Sequence, residues 1–387
     1  MSIPPQWVRG ETSRQAHVGL PAGTVEDEHG RGGFFGPASH LYRKHAPTDW
    51  ISVDGPAAHR AFDLRLAAAG DGAGAGDGSE GGAGDALWPA NLLGNRDVAI
   101  GWHRLSAPHR TEFKRDADGD ELFFVHVGAG TLRTEYGPLD YRAGHYLLVP
   151  RGTTYRFEPT EPTDLLAIEA TGERYSLPDR GPLGRHAVFD PAVLDVPEPE
   201  AVDEEGEFVV VVKRGGHDTR ITYGFHPCDV VGWKGDLAPL RLHVDDIRPV
   251  VSARYHLPPS VHTTFLAPGF VVCTFAPRPM ESDPEAIRLP FFHRNVDYDE
   301  VLFYHRGEFF SRAGIDAGML TFHPSGLHHG PQPGARARDA EAAATADPAV
   351  VRFADEVAVM VDTRRPLDVA EHASRWELAG YVDSWSV

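Results

Sequence analysis

The feature that most constrains the fold of this chain is an internal repeat. Residues 113–128 (FKRDADGDELFFVHVG) align without a gap on residues 292–307 (FHRNVDYDEVLFYHRG). Further along, residues 144–155 (GHYLLVPRGTTY) match residues 318–329 (GMLTFHPSGLHH) as G-x5-P-x-G-x2-[YH]. A repeat of this kind indicates that one folding unit has been duplicated. We therefore expect two units of similar structure.

Length and composition agree with two β-rich modules. A chain of 387 residues exceeds the usual size of one hydrophobic core. Its 41 glycines and 32 prolines are typical of a turn-rich, all-β fold with few helices. Short runs of β-branched and aromatic residues that end at glycine or proline predict strands. They cover residues 123–128, 145–150, 207–214 and 269–277.

Three stretches have the composition of loops or linkers. Residues 67–86 are almost pure Gly, Ala and Asp, which predicts a flexible surface insertion, and residues 333–348 are predicted to be a second one. The acidic, proline-rich residues 194–206 are typical of a linker. We predict an N-terminal β domain over residues 1–222 and a C-terminal domain over residues 223–387.

Charge and cysteine content exclude several classes of function. The net charge of −19 would repel nucleic acid and anionic lipid. The two cysteines, Cys228 and Cys273, form no CxxC motif, so a metal would have to be bound by histidine and carboxylate side chains. The N-terminal residues lack a secretory leader, and no apolar run approaches the length of a membrane span. These features predict a cytoplasmic protein that binds neither nucleic acid nor membrane.

Both copies contain the motif pair E-x6-G and G-x5-P-x-G-x2-[HY], which resembles the two signature motifs of the cupin family. The resemblance implies tandem jelly-roll barrels. In the second copy His293, Glu300 and His329 occupy the positions that bind metal in cupins. The aligned positions of the first copy carry other side chains: Lys114, Glu121 and Tyr155.

This difference predicts a metal site in the second barrel only, because an ammonium group cannot bind a metal ion. Two histidines and one carboxylate are the ligands of non-haem Fe(II) sites that leave positions open for substrate and O₂. Most cupins have a further histidine where this chain has Asn295. A single histidine in a strand is more often packed than ligating, and only the combined spacing favours a site. His126 and His305 align with each other, so we interpret both as structural.

The second half also resembles the homogentisate 1,2-dioxygenase family, from about residue 223 to residue 331. The resemblance rests on five stretches: DVVGWKGDLAP (229–239), HLPPSVHTTF (256–265), APGFVVCTFAPR (267–278), LPFFHRN (289–295) and LHHGP (327–331). Residues 32–47 (GGFFGPASHLYRKHAP) are similar to the opening of that family. The chain is more compact than the long members.

The family resemblance implies Fe(2+) bound by His293, Glu300 and His329. It implies two catalytic histidines, with His256 as the base. Histidine suits that role because it can accept and return a proton near neutral pH. The other is His323, which is present only in the second copy. The alternative for both is a histidine hydrogen-bonded within the fold.

The resemblance also implies substrate contacts. Pro290 and the ligand His329 are expected to line the substrate pocket. Phe309 stands where the family has a tyrosine that contacts the substrate, and losing that hydroxyl would change selectivity. Arg312 stands where the family has a lysine, which keeps a cation for a substrate carboxylate. Phe309 is equally compatible with core packing.

The reaction implied is extradiol-type ring cleavage, in which homogentisate and O₂ give maleylacetoacetate in tyrosine and phenylalanine breakdown. Two alternatives stay open. The first is the same iron chemistry on another hydroquinone or gentisate-like substrate, and the second is a cupin that binds a small acid without turnover. The resemblance also suggests a homo-oligomer built from trimers.

Overall fold

The computed structural model describes residues 7–67, 86–309, 312, 314–345 and 350–386. These residues form two β barrels, which confirms the predicted all-β fold of tandem barrels. The predicted strands within residues 123–128, 145–150, 207–214 and 269–277 are all present. Strands are numbered below in chain order.

The first barrel has two sheets. In spatial order, the seven-stranded sheet contains β15 (Leu240–His243), β10 (His145–Val149), β7 (Asp120–Val127), β12 (Thr163–Ala170), β5 (Val98–Leu105), β4 (Ala90–Gly94) and β24 (Asp368–Val369). The six-stranded sheet contains β14 (His217–Phe225), β13 (Glu205–Arg214), β6 (Phe113–Asp116), β11 (Thr154–Pro159), β8 (Ala129–Thr134) and β9 (Gly137–Arg142).

The second barrel is built around another six-stranded sheet and two smaller ones. The large sheet contains β16 (Thr263–Ala267), β17 (Phe270–Phe275), β23 (Glu356–Thr363), β20 (Asp299–Gly307), β21 (Met319–His323) and β3 (Arg60–Asp63). The smaller sheets contain β19 (Phe292–Asn295), β1 (Val25–Gly30) and β2 (Ala38–Arg43), and the pair β18 (Arg278–Pro279) and β22 (Phe353–Ala354).

The helices are few and short in the described residues. The α-helix α1 covers Pro333–Thr345. Short 3₁₀ turns cover Gly33–Phe35, Leu64–Leu66, Gly181–Leu183, Pro191–Val193, Val244–Asp246, Pro259–His262, Glu371–Trp376 and Tyr381–Trp385. No helix in this part of the chain is both long enough and apolar enough to cross a membrane.

The prediction of a flexible stretch over residues 333–348 is wrong for the residues that α1 covers. Its Ala, Arg and Glu residues are strong helix formers, and Pro333 occupies the first position, where proline is favoured. The lack of bulky apolar residues therefore does not indicate a flexible segment in this part of the chain. Most of the other predicted insertion, residues 68–85, lies outside the described residues.

Strand register reproduces the internal repeat position by position. In the first barrel the motif glutamate Glu121 on β7 is the Cα partner of Val149 on β10. In the second barrel Glu300 on β20 is the Cα partner of His323 on β21. The sequence alignment pairs the same positions, so the two barrels share one strand arrangement.

The glycine that ends each E-x6-G motif is required by the backbone. Gly128 and Gly307 have φ angles of 95° and 94°, a region that favours glycine. A Cβ atom on Gly307 would lie 1.8 Å from the carbonyl oxygen of Asp355, and one on Gly128 would lie 2.3 Å from Oγ1 of Thr163. No other residue fits either position without a shift of the neighbouring strand.

The largest hydrophobic core lies between the barrels. The strands alternate, so that the seven-stranded sheet of the first barrel and the six-stranded sheet of the second each point one face into their own barrel and the other at the partner barrel. Phe124 and Tyr146 of the first barrel pack with Phe265 and Phe303 of the second, and all four are fully buried. The hydroxyl of Tyr146 also bonds to that of Thr274 at 2.8 Å. This shared core holds the two barrels as one body.

The structure places His126 and His305, the histidines matched by the repeat, at the centre of that interface. Their Nδ1 atoms are 3.0 Å apart, so one ring donates a hydrogen bond to the other. Both side chains are buried. Their position supports the interpretation that they have a structural role.

This pair predicts a loss of stability in acid. Burial lowers the pKa of His126 to about 4 and that of His305 to about 3. Unfolding therefore takes up protons below pH 6.5, and the stability present above that pH is lost as the pH falls. Between pH 7 and pH 5, each histidine lowers the free energy of unfolding by about 2 kcal/mol. Between pH 7 and pH 5, the free energy of unfolding of the double variant His126→Gln/His305→Gln should fall by at least about 2 kcal/mol less than that of the parent. Denaturant unfolding at both pH values measures this difference. Equal losses would contradict this assignment.

Strands near each end of the chain pair with the barrel formed mainly by the other half of the chain. Strand β3 pairs with β21 of the second barrel, and β1 runs parallel to β19, which carries His293. Strand β24, near the C-terminus, pairs with β4 of the first barrel. The division of the chain at residues 222 and 223 stays a prediction.

Candidate active site

His293, Glu300 and His329 come together inside the second barrel. His293 lies on β19 and Glu300 on β20, while His329 follows the turn after β21. The backbones of His293 and His329 exchange two hydrogen bonds of 3.0 Å. In the first barrel Lys114 and Tyr155 are likewise antiparallel partners. The fold therefore places the same two motif positions side by side in both barrels.

The three side chains converge on one point. Nε2 of His329 is 3.3 Å from a carboxylate oxygen of Glu300, and Nε2 of His293 is 3.7 Å from the same oxygen. All three residues are less than 10% exposed. Neither Nε2 atom has a hydrogen-bond partner. Two buried nitrogens without partners beside a carboxylate are the arrangement that a divalent metal ion would satisfy.

Hydrogen bonds orient His293 and Glu300, whereas Nδ1 of His329 has no hydrogen-bond partner. Nδ1 of His293 donates to the carbonyl oxygen of Phe291 at 3.1 Å, which leaves Nε2 available as a ligand. The second oxygen of Glu300 bonds to Nδ1 of His323 at 2.8 Å, and Nε2 of His323 lies 3.2 Å from the hydroxyl of Tyr381. His323 is fully buried and contacts the carboxylate ligand. Its contacts suit a residue that positions Glu300.

The electrostatics favour an ionised carboxylate among the histidines. Burial alone would raise the pKa of Glu300, but the neighbouring histidines, His329 foremost, hold it well below its usual range. Burial lowers the pKa of His329 and of His323, which favours their neutral forms, whereas Glu300 raises the pKa of His293 despite its burial. Burial and the charge of Glu300 raise the pKa of Asp362 on the adjacent strand well above its usual range. One negative charge, on Glu300, is therefore retained at the centre.

A cavity opens onto this cluster. His293 and Glu300 line it, and so do Pro290 and Arg312, whose role as substrate contacts stays a prediction. His256 also lines it, and its Nδ1 lies 2.7 Å from a carboxylate oxygen of Glu281. His323 and His329 are not among the lining residues.

Phe309 does not line the cavity. It packs on Tyr304 with ring centroids 4.8 Å apart. The ring of Tyr304 does line the cavity, and its hydroxyl lies 3.2 Å from that of Thr321. Sequence reasoning missed Tyr304, although a signal existed. Because side chains alternate along a strand, a residue four positions after Glu300 on β20 must face the same interior.

Two further groups at the site were missed. His59 comes from the N-terminal segment, and its ring meets those of His323 and His329 edge-on with centroids 5.1 Å and 6.0 Å away. Arg278 lines the cavity and donates to Glu356 at 2.8 Å. Neither lies in a repeated motif, so no local pattern marked them.

In the first barrel, the positions aligned with His293 and His329 carry a lysine and a tyrosine. Lys114 is buried, and its ammonium group lies about 5 Å from the ring centres of Trp88 and Tyr155. The hydroxyl of Tyr155 donates to Glu121. The lysine thus supplies a positive charge where the second barrel has room for a metal ion.

Two cupin-type barrels in one chain, with a buried cluster of two histidines and a glutamate in the second, define a bicupin whose second barrel has side chains that could hold a metal ion. The family model described as "Homogentisate 1,2-dioxygenase N-terminal" matches residues 90–244, and the one described as "Homogentisate 1,2-dioxygenase C-terminal" matches residues 248–387. The chain belongs to the homogentisate 1,2-dioxygenase family.

Individual relatives agree with this membership. A protein of Saccharolobus solfataricus, whose name gives the class dioxygenase without a substrate, is 34% identical over 76% of this chain and 75% of its own length. The homogentisate 1,2-dioxygenase of Bradyrhizobium diazoefficiens is 29% identical over 70% of this chain and 62% of its own length. Among solved structures, a cupin 2 conserved barrel domain protein from Leptotrichia buccalis aligns with a TM-score of 0.31 and 10% identity over 70% of this chain and 86% of its own.

Proposed function

We propose that this protein is a non-haem Fe(II) dioxygenase that opens the ring of homogentisate, taking up one O₂ and forming maleylacetoacetate. The observation that carries the proposal is the pair of unpartnered Nε2 atoms, on His293 and His329, that face Glu300 at the inner end of a cavity. The cavity also holds a histidine base and arginine side chains, which suit a phenolic acid.

His293, Glu300 and His329 would hold the iron. When bound, ferrous iron supplies the electrons that let O₂ in its triplet ground state react with an electron-rich ring. Three protein ligands leave positions for substrate and O₂. Both oxygen atoms enter the product, so the reaction needs no external reductant.

The remaining residues bind the substrate and move its proton. His256, oriented by Glu281, accepts the proton of the ring hydroxyl remote from the iron and returns it later. Arg312 lies at the cavity wall, where its guanidinium donates to the carbonyl oxygen of Gly330 at 2.8 Å, and it can also face a carboxylate. Pro290 limits water access, and His323 holds Glu300 in place.

Oxygen uptake tests the proposal directly. The protein is loaded with Fe(II) without oxygen and then given homogentisate, gentisate or hydroquinone together with O₂. We expect uptake with homogentisate, one O₂ per substrate, and a product with the mass of homogentisate plus two oxygen atoms. Uptake with none of the three would reject the oxygenase and leave a non-catalytic acid-binding cupin. A cytoplasmic location and a trimer-based assembly stay predictions.

A second candidate substrate, another hydroquinone or a gentisate-like acid, is favoured by one observation. The tyrosine expected to contact the substrate is replaced by Phe309, and the phenol that reaches the cavity is that of Tyr304. A hydroxyl in a different place would bind a ring with a different pattern of polar groups. Faster oxygen uptake with gentisate or hydroquinone than with homogentisate would favour this candidate.

A matched pair of variants tests which ring contacts the substrate. We expect Tyr304→Phe to lower kcat/KM for the preferred substrate about 10-fold, because a hydrogen bond to the ligand is lost. Phe309→Tyr should change the ratio of kcat/KM values among the three substrates by less than about 2-fold, since Phe309 is outside the cavity. Steady-state oxygen uptake measures both. If Phe309→Tyr changed the substrate preference and Tyr304→Phe did not, position 309 would be the one that contacts the substrate.

A further inference from the structure

Strands β1 and β2 form an N-terminal hairpin. This hairpin and the residues before it contain a second cluster of two histidines and a glutamate. His17 precedes β1, Glu26 lies on β1 and His40 lies on β2. One ligand atom of each residue lies within 4.8 Å of the ligand atoms of the other two, as for His293, Glu300 and His329. Within the described residues these are the two clusters of this kind.

The carboxylate of Glu26 is buried and only half satisfied. Its side chain is 1% exposed. One oxygen accepts hydrogen bonds from the backbone N–H of His17 at 3.0 Å and from the His17 ring at 2.7 Å. The other oxygen lies 3.3 Å from Nδ1 of His40, and neither of these two atoms has a hydrogen-bond partner. This oxygen faces His40 as an ion pair but without an aligned hydrogen bond, and a bound ligand would complete its coordination.

The spacing between Glu26 and His40 suits a metal ion better than a direct hydrogen bond. Ligand atoms that are about 2.1 Å from a tetrahedral metal lie about 3.4 Å from one another. The gap between Glu26 and His40 is close to that value, and the two atoms are not aligned for hydrogen bonding. His40 is partly exposed, and its other ring nitrogen lies 3.7 Å from Glu28, so solvent can reach the cluster and supply further ligands.

The backbone of His17 is held in an uncommon conformation. Its φ angle is 68°, in the left-handed region that residues other than glycine seldom occupy. Such a conformation costs about 1–3 kcal/mol and persists where the surroundings fix it. Here it turns both the ring and the backbone N–H of His17 toward Glu26.

The cluster is one aromatic ring away from the candidate iron site. The ring of His17 stacks on Phe291 with centroids 4.2 Å apart and an interplanar angle of 14°. The carbonyl oxygen of Phe291 accepts the hydrogen bond from His293. Glu28, two residues after Glu26, is the Cα partner of His293 in the parallel pair β1 and β19. Anything that fixes the hairpin therefore fixes the strand that carries His293.

We propose that His17, Glu26 and His40 bind a divalent transition-metal ion, a second site that clamps the N-terminal hairpin against strand β19. Two imidazole nitrogens and one carboxylate oxygen suit Zn²⁺, Fe²⁺ or Co²⁺ rather than Ca²⁺ or Mg²⁺, which prefer oxygen ligands. The role is structural, because Phe291 lines the substrate cavity while His17, Glu26 and His40 do not.

Metal stoichiometry in matched variants tests the site. The full-length protein is stripped of metal and titrated with Co²⁺, and bound metal is measured by elemental analysis and by the visible absorption of Co²⁺. We expect two equivalents for the parent and one each for Glu26→Gln and Glu300→Gln. Both substitutions keep the size of the side chain and remove its charge. The double variant Glu26→Gln/Glu300→Gln should bind none.

The outcomes separate this site from the proposed iron site. A parent that binds one equivalent which Glu26→Gln retains, or a Glu26→Gln variant that still binds two, would overturn the second site. Loss of the other equivalent in Glu300→Gln bears only on the iron assignment. Should circular dichroism show Glu26→Gln to be unfolded, the partly exposed His40→Gln replaces it. Retention of two equivalents in folded His40→Gln would equally reject the site.

Discussion

Replacing Glu300 by glutamine is expected to remove the iron and reduce oxygen uptake by more than about 100-fold. The carboxylate supplies the negative charge that faces both histidine ligands, and an amide oxygen is a much weaker ligand. Even residues that contact metal ligands indirectly change affinity or activity by about 10–100-fold, so a ligand should exceed that range. Iron content after gel filtration and the rate of oxygen uptake measure the two effects separately.

The aligned glutamate of the first barrel provides the control. Burial raises the pKa of Glu121, and its aligned neighbours are Lys114 and Tyr155 rather than two histidines. Glu121→Gln should therefore retain the iron and more than half of the oxygen uptake. If Glu300→Gln instead kept its iron and its rate, the ligand assignment would be wrong.

The repeat made the cluster of His293, Glu300 and His329 predictable because duplication fixes register. Once Glu121 and Glu300 are aligned, the motif spacing fixes which residues face them on the next strand. The structure pairs them with Val149 and His323, as the alignment requires. A difference between copies then identifies what the second barrel has that the first lacks. This inference needs no knowledge of long-range contacts.

Contacts from distant parts of the chain were not predictable in this way. His59 reaches the site because β3 pairs with β21, more than 250 residues later in the chain. The clustering of His17 with Glu26 and His40 depends on a loop with a left-handed residue. Neither feature leaves a periodic pattern, since each depends on tertiary packing. Tyr304, by contrast, follows from strand alternation alone.

The second large effect is expected at His256, which lines the cavity and is bonded to Glu281. We expect His256→Gln to lower kcat about 10²–10⁴-fold, the usual contribution of a general base, and to keep the iron content and KM within about 3-fold. Glu281→Gln should lower kcat about 10-fold, because the ring loses the carboxylate that orients it. Oxygen uptake by iron-loaded protein, corrected for iron content, gives these values.

Non-additivity distinguishes a positioning role for Glu281 from an independent one. If Glu281 acts through His256, the variant His256→Gln/Glu281→Gln should be no slower than His256→Gln alone, whereas independent effects would multiply. His262 is a matched control because it lines the same cavity and burial lowers its pKa to about 3, so it cannot hold a proton near neutral pH. His262→Gln should cost less than about 10-fold in kcat. A larger loss there than at His256 would transfer the role of the base to His262.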